Sequence, residues 1–86
     1  MSESPVAKIL VVDDNLLNRK KLKLAVNKLG YTALTAEGGQ DALTMLESGD
    51  FDAVLLDLLM PEMDGFEVLR RAKLDKHLWD IPIIIV

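Results

Sequence analysis

The sequence of 86 residues has no cysteine, one histidine and few aromatic side chains. Without cysteine there is neither a disulfide framework nor a thiolate metal site. The lone histidine, His77, has no partner histidine with which to bind zinc, so we interpret it as a surface residue. No apolar run approaches the roughly 18 residues that a membrane helix needs. We therefore expect one small, soluble globular domain.

Net charge is −4, which disfavours binding to the phosphates of nucleic acid. Half of the basic residues lie in one segment: Arg19, Lys20, Lys21, Lys23 and Lys28. Such a run usually forms the solvated face of a helix. The first residues, MSESPVAK, lack the basic and apolar blocks of a signal peptide. We therefore expect a cytoplasmic protein with residues 1–5 as a disordered tail.

Segments with strand-like and helix-like patterns of apolar residues alternate along the chain. Short β-branched runs predict strands at residues 7–12, 31–36, 51–57 and 81–86. Helical spacing between them predicts helices at residues 16–29, 40–48 and 65–73. Gly30 is expected to end the first helix. Asp64 and Glu67 are expected to form a capping box at the start of the last helix, with Met63 as its hydrophobic staple. This βαβαβαβ order predicts a doubly wound α/β domain with a parallel sheet and helices on both faces.

Acidic residues stand where two of these strands end. Asp13 and Asp14 end VVDD, and Asp57 ends VLLD. Each alone is typical of a turn or a helix N-cap. If the strand order is 2-1-3-4, however, these strand ends meet at the point where the order reverses, which is where such folds bind ligands. Three converging carboxylates without histidine or cysteine favour magnesium.

The loop after Asp57 contains Pro61 and Gly65. Pro61 keeps Met60 out of the helical region, so the chain stays extended before the next helix begins. We expect this loop to aim a backbone carbonyl, that of Leu59, at the metal.

Four segments, ILVVDDNLLNR, LGYTALTAEGGQDAL, LLDLLMPEMDGFEVLRR and IPIIIV, resemble the receiver domain of two-component response regulators, collinearly over nearly the whole chain. The resemblance implies a flavodoxin-like sheet of order 2-1-3-4. It also implies a phosphoacceptor, Asp57, that takes a phosphoryl group from a sensor histidine kinase and switches an output domain or partner protein.

The same resemblance implies the ligands of a magnesium ion, for which manganese is an acceptable substitute. By motif position Asp14 is a direct ligand, Asp13 acts through water, Leu59 offers its carbonyl, and Asp57 completes the set.

Receiver domains continue beyond the fourth strand with a hydroxyl residue, a fifth strand ending in lysine and a last helix. The sequence given ends at Val86. We therefore expect a receiver truncated after the fourth strand, with the fifth strand and last helix missing. The aliphatic run IPIIIV would then be an open sheet edge through which the chain self-associates.

Other functions fit the sequence less well. A phosphatase of the haloacid dehalogenase type needs a second acid two residues after its nucleophile, where this chain has Leu59 after Asp57 and Asn15 after Asp13. We therefore do not expect an enzyme. The turn DDNLLN lacks the glycines of a dinucleotide site. A phosphate-independent interaction or dimerisation module, or a fragment without signalling function, remains the alternative.

Overall fold

A computed structural model describes residues 6–58, 60 and 65–86. Within these residues strands and helices alternate as β1 (Lys8–Val12), α1 (Leu16–Lys28), β2 (Thr32–Ala36), α2 (Gly39–Ser48), β3 (Ala53–Leu56), α3 (Gly65–Leu74) and β4 (Ile83–Ile85). The strands pair in parallel in the order β2-β1-β3-β4. The predicted doubly wound α/β fold with order 2-1-3-4 is confirmed.

The central strands β1 and β3 are largely buried on both faces because helices pack on each side of the sheet. On one face Leu10, Val12, Val54 and Leu56 contact apolar residues of α2 and α3. On the other face Val11 and Ala33 pack against Val26 of α1. The central strands are consequently aliphatic at successive positions, which explains why their sequence shows continuous apolar runs rather than alternation.

Helix α1 is capped at both ends, and Gly30 follows its C-terminus as predicted. The side-chain oxygen of Asn15 accepts a hydrogen bond from the Asn18 amide at 3.0 Å. At the other end Gly30 has a φ of 95°, and the amides of Gly30 and Tyr31 donate to the carbonyls of Asn27 and Val26. This is a Schellman motif, for which glycine is the favoured residue.

The fourth strand is shorter than the predicted span of 81–86. Pro82 has no amide proton, but its carbonyl accepts from Val54 at 2.9 Å, and the Val86 amide donates to Leu56 at 3.0 Å. Pairing with β3 therefore continues by one residue at each end of Ile83–Ile85. In the described sheet β4 is an edge strand, and Ile84, Ile85 and the following residue, Val86, are about half exposed.

Some predictions fall on parts of the chain that the structure does not describe. They are the tail at residues 1–5, the cap at Asp64 and the staple at Met63. Among the helices that are described, none is long and apolar enough to cross a membrane.

Candidate functional site

The carboxyl ends of β1 and β3 lie side by side. Their register pairs Val12 with Leu56, and the Asp57 amide donates to the Val12 carbonyl at 3.0 Å. The Asp13 amide donates to Ala36 of β2 at 3.2 Å. Sheet pairing thus continues one residue past each strand, which fixes the backbone of Asp13 and Asp57 at the same edge.

Three predicted carboxylates converge at this edge. One carboxylate oxygen each of Asp13, Asp14 and Asp57 lies within 4.8 Å of the others. Asp13 is buried with 4% of its surface exposed, Asp57 is half-buried and Asp14 is exposed. The acidic cleft therefore extends from the protein interior to the solvent. The role of each carboxylate stays a prediction.

Asp13 is the most constrained of the three residues. Its carboxylate Oδ1 accepts a hydrogen bond from the Asn15 amide at 2.9 Å. Its backbone carbonyl accepts one from Nη1 of Arg19, also at 2.9 Å and buried. With the amide bonded to β2, both the backbone and the side chain of Asp13 are held in place.

The start of α3 lies against the end of β3. The amide of Gly65, the first residue of α3, donates to the Leu58 carbonyl at 2.9 Å. A Cβ placed on Gly65 would lie 2.4 Å from both the Asp57 carbonyl oxygen and the Leu58 Cα. Glycine is thus required here for close packing. The predicted carbonyl ligand, Leu59, lies outside the described residues.

An open cavity borders the acidic cluster. It is lined by Asp13, Asn18, Lys21, Leu22, Asp57 and Val86. Lys21 was predicted only as part of a solvated helix face, and it is exposed, but it also places a cation on the wall of the acidic cavity. Sequence reasoning missed this role because it requires knowing how α1 lies over the sheet.

The prediction that the basic segment forms one solvated face is wrong for Arg19. The four lysines of the segment are exposed, but Arg19 is 9% exposed. Its spacing explains this, because Arg19 precedes Leu22 by three residues and Val26 by seven, which places it on the apolar face of α1. That spacing was the available signal.

Comparison with known proteins gives consistent matches. The profile of the response regulator receiver domain matches residues 9–86. Histidine kinase 2 of Arabidopsis thaliana is 52% identical over 66 residues, which are 76% of this chain and 6% of that protein. Chemotaxis protein CheY of Pseudomonas aeruginosa is 40% identical over 80 residues, which are 92% of this chain and 64% of that protein.

Solved structures agree with these sequence matches. The N-terminal domain of a response regulator receiver protein from Methanoculleus marisnigri superposes with a TM-score of 0.90 at 37% identity, covering 94% of this chain and 66% of that one. Response regulator TrrA from Thermotoga maritima, solved in complex with Mg²⁺-BeF, superposes with a TM-score of 0.80 at 41% identity, covering 83% and 62%. The chain spans about two thirds of each of these solved proteins.

The profile match covers residues 9–86, and a solved receiver domain superposes over 94% of the chain. The chain belongs to the response regulator receiver domain family.

Proposed function

We propose that this chain is the phosphoacceptor module of a two-component signalling system, in which Asp57 takes a phosphoryl group from a sensor histidine kinase. The convergence of Asp13, Asp14 and Asp57 at the ends of β1 and β3 is the observation that carries the proposal. Relatives support it, since one is named a histidine kinase and another a chemotaxis protein. The phosphorylated module would then switch an output domain or a partner protein.

The position of Asp57 supports its proposed role as the nucleophile. Its amide is bonded to Val12, and the adjoining Leu56 is fully buried, so the backbone is rigid. Its side chain is half-buried and borders the open cavity, so a donor can approach it from solvent. A fixed and accessible carboxylate suits phosphoryl transfer, which depends mainly on positioning and charge stabilisation.

The proposed reaction is a direct transfer. A carboxylate oxygen of Asp57 attacks phosphorus, and the bond between phosphorus and the donor imidazole nitrogen breaks with its electron pair left on that nitrogen. The product is an acyl phosphate on Asp57. The chain acts in this reaction as a stoichiometric acceptor and not as an enzyme with turnover.

The three carboxylates fit a small divalent cation. Magnesium binds oxygen ligands at about 2.0–2.1 Å, so two ligands on opposite sides of the ion are about 4.2 Å apart. Carboxylate oxygens within 4.8 Å of one another suit such an ion if at least one of them contacts it through a water molecule. Asp14 and Asp57 would hold it directly, and Asp13, whose Oδ1 already accepts from Asn15, would hold it through water.

When bound, the cation would screen the carboxylates and neutralise charge on the transferring phosphoryl group. The Thermotoga maritima relative, solved with Mg²⁺-BeF, supports magnesium as the metal. Lys21, on the cavity wall, would further attract an anionic donor.

A phosphate-independent interaction module is the second candidate. Ile84 and Ile85 on the edge strand of the described sheet are 51% and 45% exposed, and the following residue, Val86, is 55% exposed. Exposed aliphatic edges recruit other chains.

Metal binding tests the acidic site on which the first candidate depends. Magnesium titration, followed by amide chemical shifts and calorimetry, is expected to move the resonances of Asp13, Asp14 and Asp57. Asp14→Ala should weaken binding at least about tenfold, because a direct ligand is removed. Asp50→Ala, which removes an exposed carboxylate before β3, is the matched control and should bind normally. Equal affinity in Asp14→Ala and the wild type would contradict the assignment.

A further inference from the structure

Arg19 is the buried exception within a segment of exposed basic residues. It follows the N-cap Asn15 by four residues and carries its charge toward the protein interior. Its Nη1 donates to the backbone carbonyl of Asp13 across a buried hydrogen bond of 2.9 Å. Because a guanidinium keeps its charge in proteins, a permanent cation is fixed beside the acidic cluster.

We propose that Arg19 is a positioning residue of the metal site, holding the turn of Asp13 and Asp14 in the arrangement that lets three carboxylates share one ion. The inference rests on the proposed function, since it concerns the same site. It assigns to Arg19 a role that its place in a charged helical segment does not indicate.

The hydrogen bonds around Asp13 show how this positioning works. The amide of Asp13 is tied to Ala36 of β2, and its carboxylate is tied to the Asn15 amide at the start of α1. The arginine bond is the one that ties the Asp13 carbonyl to the second turn of α1. Removing it frees the peptide group between Asp13 and Asp14, which sets the direction of the Asp14 side chain.

The surroundings of Arg19 favour arginine over lysine. The side chain lies between α1 and the end of β2, where it borders one cavity with Thr35, Glu37 and Asp41 and another with Leu16. A planar fork with five donors can bond the Asp13 carbonyl and still present donors toward these acidic side chains. A lysine has only one nitrogen with which to bond the Asp13 carbonyl and also face the carboxylates of Glu37 and Asp41.

The test compares Arg19→Gln and Arg19→Lys with Lys20→Gln, a control that removes the charge of the exposed neighbouring residue. Magnesium affinity, the Asn15 amide resonance and the urea midpoint are measured for each protein. Arg19→Gln should weaken magnesium binding about tenfold and shift the Asn15 resonance in the metal-free state. Arg19→Lys should bind magnesium more tightly than Arg19→Gln and show a smaller shift of the Asn15 resonance. Lys20→Gln should match the wild type in both measurements.

A purely structural role would give another pattern. If Arg19→Gln lowers the urea midpoint while the folded protein keeps wild-type magnesium affinity and an unshifted Asn15 resonance, the inference is wrong. Should Arg19→Gln not fold, Arg19→Lys decides: it must bind magnesium about threefold or more weakly than the wild type, and equal affinity overturns the inference.

The two proposals fail separately. A wild-type chain that binds no magnesium contradicts the proposed function, and the role of Arg19 is then judged in the metal-free protein. There Arg19→Gln should still shift the Asn15 resonance and lower its protection from hydrogen exchange, and an unchanged Asn15 amide would refute positioning. Normal magnesium binding in both the wild type and Arg19→Gln contradicts the inference alone.

Discussion

Gly65→Ala tests whether close packing of α3 against the end of β3 fixes Asp57. A Cβ at residue 65 would lie 2.4 Å from the Asp57 carbonyl oxygen and from the Leu58 Cα, about 1 Å inside the ordinary contact range that starts at 3.4 Å. Both atoms belong to the backbone, so no side-chain rotation relieves the overlap. The start of α3 or the residues after β3 must move by about 1 Å.

The cost follows from this displacement. Overpacking of a well-filled site costs about 1–3 kcal/mol in the free energy of unfolding. For a domain of this size, about 2 kcal/mol lowers the melting temperature by roughly 8–16 °C. A misplacement of about 1 Å at a reacting group costs up to about 10²-fold in rate, so phosphorylation of Asp57 should slow by that order even in folded protein.

Thermal unfolding and the rate of phosphorylation by acetyl phosphate are measured on the same preparations. The matched control is Gly38→Ser, since a Cβ at Gly38 meets nothing within 4 Å and serine is favoured at the N-cap of α2 that Gly38 occupies. It should keep wild-type stability and rate. If Gly65→Ala melts and reacts like the wild type, the close contact does not position Asp57.

Two further predictions concern surface features. Hydrogen bonds from Arg70, and to a smaller extent from Arg71, lower the pKa of Glu67 to about 2. These ion pairs therefore stabilise the fold fully above the unfolded-state pKa near 4.5. Their contribution to stability is lost as the pH falls from 4.5 toward about 2. A carboxyl resonance of Glu67 that titrates near 4.5 would contradict this, and Glu67→Gln should remove this part of the pH dependence of stability. The 86-residue chain should self-associate through Ile83, Ile84, Ile85 and Val86, and Ile84→Lys should shift it toward monomer. Light scattering over a range of concentrations checks this, and a wild-type monomer at high micromolar concentration would refute it.

The fold was largely predictable because its signals are local. Apolar periodicity distinguished strands from helices, and Gly30 marked the end of α1 through a left-handed conformation that glycine adopts easily. The predicted meeting of Asp13 and Asp57 followed from their position at the ends of two strands that proved adjacent.

What the sequence did not predict depends on packing between distant segments. The burial of Arg19 could have been inferred from its spacing to Leu22, but its bond to the Asp13 carbonyl depends on how the turn after β1 folds back. Likewise, the close approach of Gly65 to Asp57 requires the path of a loop, which periodicity does not specify. The geometry of the site therefore needed the structure, and the roles of Asp13, Asp14 and Asp57 stay predictions.

The central claim is that Asp57 accepts a phosphoryl group, and intact-mass measurement after incubation with magnesium and acetyl phosphate tests it most directly. The account predicts the gain of one phosphoryl group that is lost in Asp57→Asn and when magnesium is chelated, and retained in the control Asp50→Asn. Equal phosphorylation of Asp57→Asn and the wild type would contradict the account.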